Sequence, residues 1–226
     1  VSASASPADA SSPTPDELDA RVTRKALLAD PIPAASALLA FQLFVYGARW
    51  IGVTPATLAH GPLAPALSYA TLIAGLAQVG AGVISIIRGS GYVGYVASTF
   101  GMWLIGFYLL GLDTKADPDA AAWFLIALVP VLVLLMIPAI IRRRVAFTIA
   151  FGAITTLVIL DGFALHKLHD ILAAVTTAKA APDLSTPVNL LSLSGWFAFI
   201  TVAALLWIAA RGFFEAEGII RPKGSH

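Results

Sequence analysis

A chain of 226 residues that is 58% hydrophobic and only 12% charged carries too little polar surface for a soluble domain and reads as a polytopic membrane protein. Its formal net charge of +1 gives no case for a nucleic-acid partner, because a polyanion needs a basic stripe and the lysines and arginines here gather at helix ends. With no cysteine, disulfides and thiolate metal sites are excluded as well.

Val1 to Pro15 are rich in Ala, Ser and Pro and contain no apolar segment behind basic residues. Residues 1–29 are therefore expected to form a disordered cytoplasmic tail rather than a signal peptide, with nothing cleaved. Inside it, Thr14-Pro15-Asp16-Glu17 has the form of a helix start, and Leu18, Val22 and Leu28 against Arg21, Arg24 and Lys25 predict a short interfacial helix. Residues 30–217 then form the membrane domain, and 218–226 a cytoplasmic C-terminal tail.

Asp30-Pro31-Ile32-Pro33 starts the first span, since an Asp caps free N–H groups and Pro31 lacks one. That span runs to Trp50 or Gly52. Others follow at Ala66–Ile87, Gly91–Leu112, Ala120–Ile141, Val145–Leu165 and Leu190–Ala210, each near the ~20 residues that a bilayer requires. The fold class is an all-α bundle of six transmembrane helices, the fourth interrupted by Pro130 and Pro138. Arg21, Arg24, Lys25, Arg88, Arg142, Arg143, Arg144, Arg211, Arg221 and Lys223 fall on one side, against Arg49, Lys115, Lys167 and Lys179 on the other. The basic excess places both termini in the cytoplasm, with the plasma membrane as the location.

The second span is the most informative. At 100° per residue Ala74, Gln78, Ala81 and Ser85 share a stripe, Gly75 and Gly82 lie beside it, and Ile73, Leu76, Val83 and Ile87 lie opposite. An unpaired amide in hydrocarbon is costly, so Gln78 faces protein or a water-filled path. In one reading the small residues admit a neighbouring helix and Gln78 bonds across the contact; in the other Gln78 lines a permeation path. Gln42 in the first span has the same two readings, with Gln78 or nearby backbone as its partner. The series Gly91, Gly94, Ser98 and Gly101 predicts close packing of the third span.

Near the outer end of the fifth span, Asp161 either meets headgroups and water or is a protonatable group coupling transport to protons. His166, His169 and Asp170 have a spacing that suits a metal on one helical face, but a polar outer loop is the expectation and no metal is assigned. Arg142-Arg143-Arg144 is first a topology signal, compatible with lipid headgroups. Enzyme signatures such as His-Glu-x-x-His, Gly-x-Ser-x-Gly or a phosphate-binding glycine loop are missing, so neither enzymatic activity nor a cofactor is expected.

Ala74 to Ser90 resembles, without a gap, the second-helix pattern of the acetate uptake transporters (succinate–acetate permease-like proteins), Gly-Gly-x-Ala-Gln-x-x-Ala-Gly-x-x-Glu-x-x-x-Gly-Asn. Gln78, Ala81, Gly82 and Gly89 match; Ser85 replaces the Glu and Ser90 the Asn. Phe100-Gly101 stands where the family has Tyr-Gly. In the first helix Asp30-Pro31-Ile32-Pro33 resembles Asn-Pro-Ala-Pro, and Gly47-Ala48-Arg49-Trp50-Ile51-Gly52 resembles Asn-Leu-His-Asn-Ala-Gly without its Asn/His/Asn cluster. Leu160-Asp161-Gly162, Gly195-Trp196 and Ala209-Ala210-Arg211-Gly212-Phe213 add support, so the resemblance, to a divergent member, covers Asp30 to Glu217.

The resemblance implies a hexamer with a path for small carboxylates through each protomer. It places Leu39 and Phe100 at two members of the family's apolar constriction, with the fifth-helix member at Phe151 or Gly152. Arg49 stands in place of the family's histidine, either as an interfacial anchor beside Trp50 or as an anion-attracting residue at the outer mouth. The expected function is a channel or transporter for small monocarboxylates such as acetate, with succinate a further candidate. Gln78, Leu39, Phe100, Arg49 and Gln42 would line the path, Asp30, Pro31 and Pro33 would start the first helix, and lipid and solute would be the partners. The alternative is a non-transporting accessory or structural subunit of the same fold.

Overall fold

The computed structural model describes residues 30–54, 63–112, 117–178 and 183–219; the predicted tail at 1–29, and all of the predicted tail at 218–226 beyond Ile219, lie outside the described residues. Among the described residues the chain forms α1 (Ile32–Trp50), α2 (Ala64–Ile87), α3 (Gly91–Leu112), α4 (Pro118–Ile126), α5 (Val129–Ile141), α6 (Val145–Ala178) and α7 (Ser185–Ala216). With α4 and α5 taken together, six helical segments are long and apolar enough to cross a membrane.

Local chemistry sets the helix ends. α1 has Pro31, not Asp30, in its N-cap place, and no side chain caps it. Prolines at 31 and 33 remove two N–H groups that would otherwise need a cap, and the first backbone bond runs from Ala35 N to Pro31 O at 3.0 Å. α1 stops where Gly52 turns left-handed at φ 75°, and α2 stops at Gly89, φ 81°, with Ser90 N bonding back to Ser85 O at 2.8 Å. Asp117 caps α4 by accepting from Asp119 N at 3.0 Å. The break between α4 and α5 is explained by Pro130, which sits in the first turn of α5 and cannot donate back to Ile126; Pro138 is carried inside α5.

α6 and α7 run well past the predicted spans, at 34 and 32 residues. At 1.5 Å per residue each is about 50 Å long, more than the hydrocarbon thickness needs. His166, His169 and Asp170 consequently lie on α6 rather than in an outer loop.

The spans close a ring in chain order. α1 packs on α2, α2 on α3, α3 touches α4, α4 and α5 pack on α6, α6 packs on α7, and α7 returns to α1. Pro33 lies against Gly212, so α1 begins where α7 ends; this is called the terminal end and the opposite one the distal end. Inside the ring is a large apolar core, with Leu39, Leu43, Phe100, Leu132, Phe151, Val158 and Ala198 among its buried residues, and a smaller cluster of Val53, Ala164 and Leu191 lies apart from it.

The α2 stripe falls as its periodicity predicts. Ala74, Gly75, Gln78, Ala81, Gly82 and Ser85 are buried while Ile73, Leu76, Val83 and Ile87 are exposed. Gly75 and Gly82 meet Gly94 and Gly101 of α3: a Cβ on Gly82 would come within 2.6 Å of Ser98 N, and one on Gly101 within 2.7 Å of Gly75 O. These are backbone atoms, which cannot swing aside. Close approach of this kind gives van der Waals packing, which holds helices together where lipid removes the hydrophobic drive.

Candidate functional site

A cavity of about 50 Å³ opens among α1, α2, α3, α6 and α7 toward the terminal end. One water needs roughly 10–15 Å³ by the same measure, so the space suits a few waters or a small solute. Its lining is almost wholly apolar, with Ser36, Gln78 and Thr201 as the polar exceptions, and none of the lining residues is charged.

Leu39 and Phe100 both line this cavity, and Phe151 joins them. The Phe100 and Phe151 rings sit 5.9 Å apart at 48°, and all three side chains are buried in the core. Of the two fifth-helix positions that sequence left open, it is Phe151 that meets Phe100; Gly152 has open space where a Cβ would stand.

Gln78 is buried and donates from Nε2 to the Ala35 carbonyl of α1 at 3.0 Å. Its amide carries a second N–H, and the residue faces the cavity. Thr201 donates to Phe197 O on its own helix at 2.9 Å, which leaves its oxygen as an acceptor. The two readings of the small-residue stripe are therefore divided between its members, the glycines packing on α3 and Gln78 facing α1 and the cavity.

Gln42 departs from expectation. It does not pair with Gln78 or line the cavity; its Nε2 lies 3.4 Å from Thr71 Oγ1, and its Oε1 is buried without a partner. Thr71 in turn donates to Leu67 O at 2.8 Å. The physical reason is register: α2 runs antiparallel to α1, so Ala35 faces Gln78 and Gln42 faces Thr71, two turns away.

Arg49 lies at the distal end of α1, away from the cavity, with its guanidinium 4.8 Å from the centre of the Trp50 ring. Asp161 does not meet headgroups. It is 5% exposed and bonded to the Tyr46 hydroxyl, which also stands 3.0 Å from Ser194 Oγ. Sequence reasoning passed over Tyr46 and Ser194, although Leu39, Gln42 and Tyr46 share one face of α1 by their spacing.

His166 and His169 find carboxylate partners rather than a common metal-sized centre. Their Nδ1 atoms each lie 2.7 Å from a carboxylate at the start of α4, His166 from Asp119 Oδ1 and His169 from Asp117 Oδ1. Among the described residues, no group of three such side chains converges on a metal position.

No family model matches the chain, and no curated protein matches it in sequence. Among solved structures the fold is similar to that of the bacterial acetate channel SatP, with a TM-score of 0.64 over 84% of this chain and 94% of that chain at 12% identity.

Proposed function

We propose that this protein conducts or transports small solutes across a membrane, and that its solutes are short monocarboxylic acids of the acetate class. The observation that carries the reading is the cavity at Gln78, with an amide N–H and two hydroxyl residues in an otherwise apolar lining that includes Leu39, Phe100 and Phe151. An apolar constriction of this kind blocks hydrated ions by dewetting, while a nearby amide replaces part of the hydration of a solute that can shed water. The likeness in fold to an acetate channel supports the same solute class. In this reading the bundle sits in the plasma membrane as a hexamer with both termini in the cytoplasm, as the basic residues and the family resemblance imply.

Chemistry at the cavity favours the protonated acid over its anion. None of the lining residues is charged, and a bare carboxylate at membrane depth is expensive. A neutral acid has a carbonyl to accept from Gln78 and a hydroxyl to donate toward the Thr201 oxygen. Arg49, on the distal side, would act on solute arriving at the mouth rather than in the cavity.

The test is uptake of labelled acetate into proteoliposomes, with a panel of short acids as competitors and Gln78→Ala beside the wild type. Saturable uptake is expected, with affinity weakened about tenfold in the variant, the worth of one hydrogen bond at ~1–1.5 kcal/mol. No uptake of any acid tested, from protein shown to be folded, would overturn the reading and favour a non-transporting accessory subunit.

A further inference from the structure

A second polar group lies in the interior on the distal side of Leu39, and the solute path does not use it. Tyr46 on α1, Asp161 on α6 and Ser194 on α7 are 8%, 5% and 0% exposed. They form one chain of contacts. The Tyr46 hydroxyl meets Asp161 Oδ2 and lies 3.0 Å from Ser194 Oγ, and Ser194 Oγ lies 2.8 Å from the Leu191 carbonyl oxygen.

Protons are scarce along this chain. The Tyr46 phenol and the Ser194 hydroxyl hold one each, and the Ser194 proton can serve the Tyr46 oxygen or the Leu191 carbonyl but not both in full. With Asp161 ionised, Tyr46 donates to the carboxylate and Ser194 leaves one of its two contacts without a donor. A proton on the carboxyl supplies all three contacts, Asp161 donating to Tyr46, Tyr46 to Ser194 and Ser194 to Leu191.

Two further observations agree. Asp161 Oδ1 is buried without a partner, which a neutral C=O tolerates far better than a carboxylate. No cation among the described residues reaches ion-pair distance of Asp161. On α1, Arg49 lies over Trp50. On α6 itself, His166 and His169 pair with Asp119 and Asp117 of the α4 start, and Lys167 pairs with Asp170. α7 offers only Arg211, near its far end and bonded to Glu215, and α5 has no titratable side chain.

We propose that Tyr46, Asp161 and Ser194 form a proton-binding site that ties α1, α6 and α7 together, with Asp161 held as the neutral acid. Loss of that proton breaks the donor order of the chain and leaves a carboxylate in a dry interior. Hydration is the available relief, so water enters the bundle between α1 and α6 on the distal side of Leu39. Gln42, whose Oε1 is buried and unpartnered one turn before Tyr46, offers that water an acceptor.

Infrared difference spectroscopy of the full chain in bilayers tests the site without any solute, so its outcome is separate from that of the transport reading. The wild type should show a carboxylic-acid C=O stretch at neutral pH that disappears on alkaline titration. The band should vanish in Asp161→Asn and move to the higher frequency of an unbonded acid in Tyr46→Phe. Should Asp161→Asn not assemble, carbon-13 labelling of aspartate in the wild type must shift the same band. Hydrogen exchange in Gln42–Trp50 should rise over the pH range in which the band is lost. An Asp161→Asn spectrum identical to wild type, or a wild-type band unmoved by the label, would overturn the protonated site. Exchange that ignores loss of the band would overturn the water entry.

Discussion

Phe100 packs its ring on Phe151, and both line the cavity together with Leu39. Truncating a buried Phe removes a large contact area and leaves a void, at a cost of about 3–5 kcal/mol. Phe100→Ala is therefore expected to lower the thermal midpoint and to admit small neutral solutes such as glycerol, read by osmotic swelling of proteoliposomes. Unchanged swelling from folded protein would count against a constriction at this position. Arg143 offers a change in the opposite direction. Among the described residues it is the non-glycine one that turns left-handed, at φ 50°, in the tight turn where Arg144 N bonds back to Ala139 O at 2.9 Å. An L side chain costs roughly 1–2 kcal/mol there. Arg143→Gly should raise stability by about 1 kcal/mol, whereas Arg142→Gly, at φ −85°, should not.

Between elements, the α2–α3 seam is the least forgiving surface. A Cβ on Gly94 would meet Gly82 O at 2.9 Å, and one on Gly75 would meet Gly101 O at 3.1 Å. Gly82→Val is expected to cost about 1–3 kcal/mol or to push the two helices apart, measured as a lower unfolding midpoint and loss of the folded peak in size exclusion. Gly80→Ala, with nothing near its Cβ, should be neutral and serves as the control. This seam was legible in sequence, because small residues recurring on one face of two successive spans can be seen without a structure. The extra turns of α6 and α7 were not. Hydropathy drops after Leu165, but Leu165 to Val175 still holds good helix formers, and bilayer thickness limits the apolar run rather than the helix. At the site, Gln78, Leu39 and Phe100 border one cavity, whereas Gln42 and Arg49, expected on the same path, are not among its lining residues. The Tyr46, Asp161 and Ser194 group was not legible, since its members are separated by 115 and 148 positions and only the folded ring brings them together.

For the molecule as a whole, the distal overhang of α6 is fastened to the start of α4 by the two His–Asp pairs. The Asp117 carboxyl is held below the usual carboxylate range, first by the Asp119 backbone N–H and then by His169. A depressed carboxyl contributes stability that is full above its ordinary value of ~3.9 and is lost as pH falls through the folded one. Acid unfolding of the wild type should therefore steepen below about pH 4, and Asp117→Asn should flatten that limb by lowering stability at neutral pH toward its acid level; an identical limb in the variant would remove Asp117 from the fastening. Ring closure in chain order has a consequence for synthesis. Of the described helices α1 leaves the ribosome before the others, yet one of its two principal neighbours, α7, follows all of them, so the Gly47 face waits unpaired in the bilayer until Gly195 arrives against it. A nascent chain stalled before Ser185 would hold the α2–α3 hairpin and the α4–α6 group but no closed bundle, and membrane quality control would meet it as an open horseshoe.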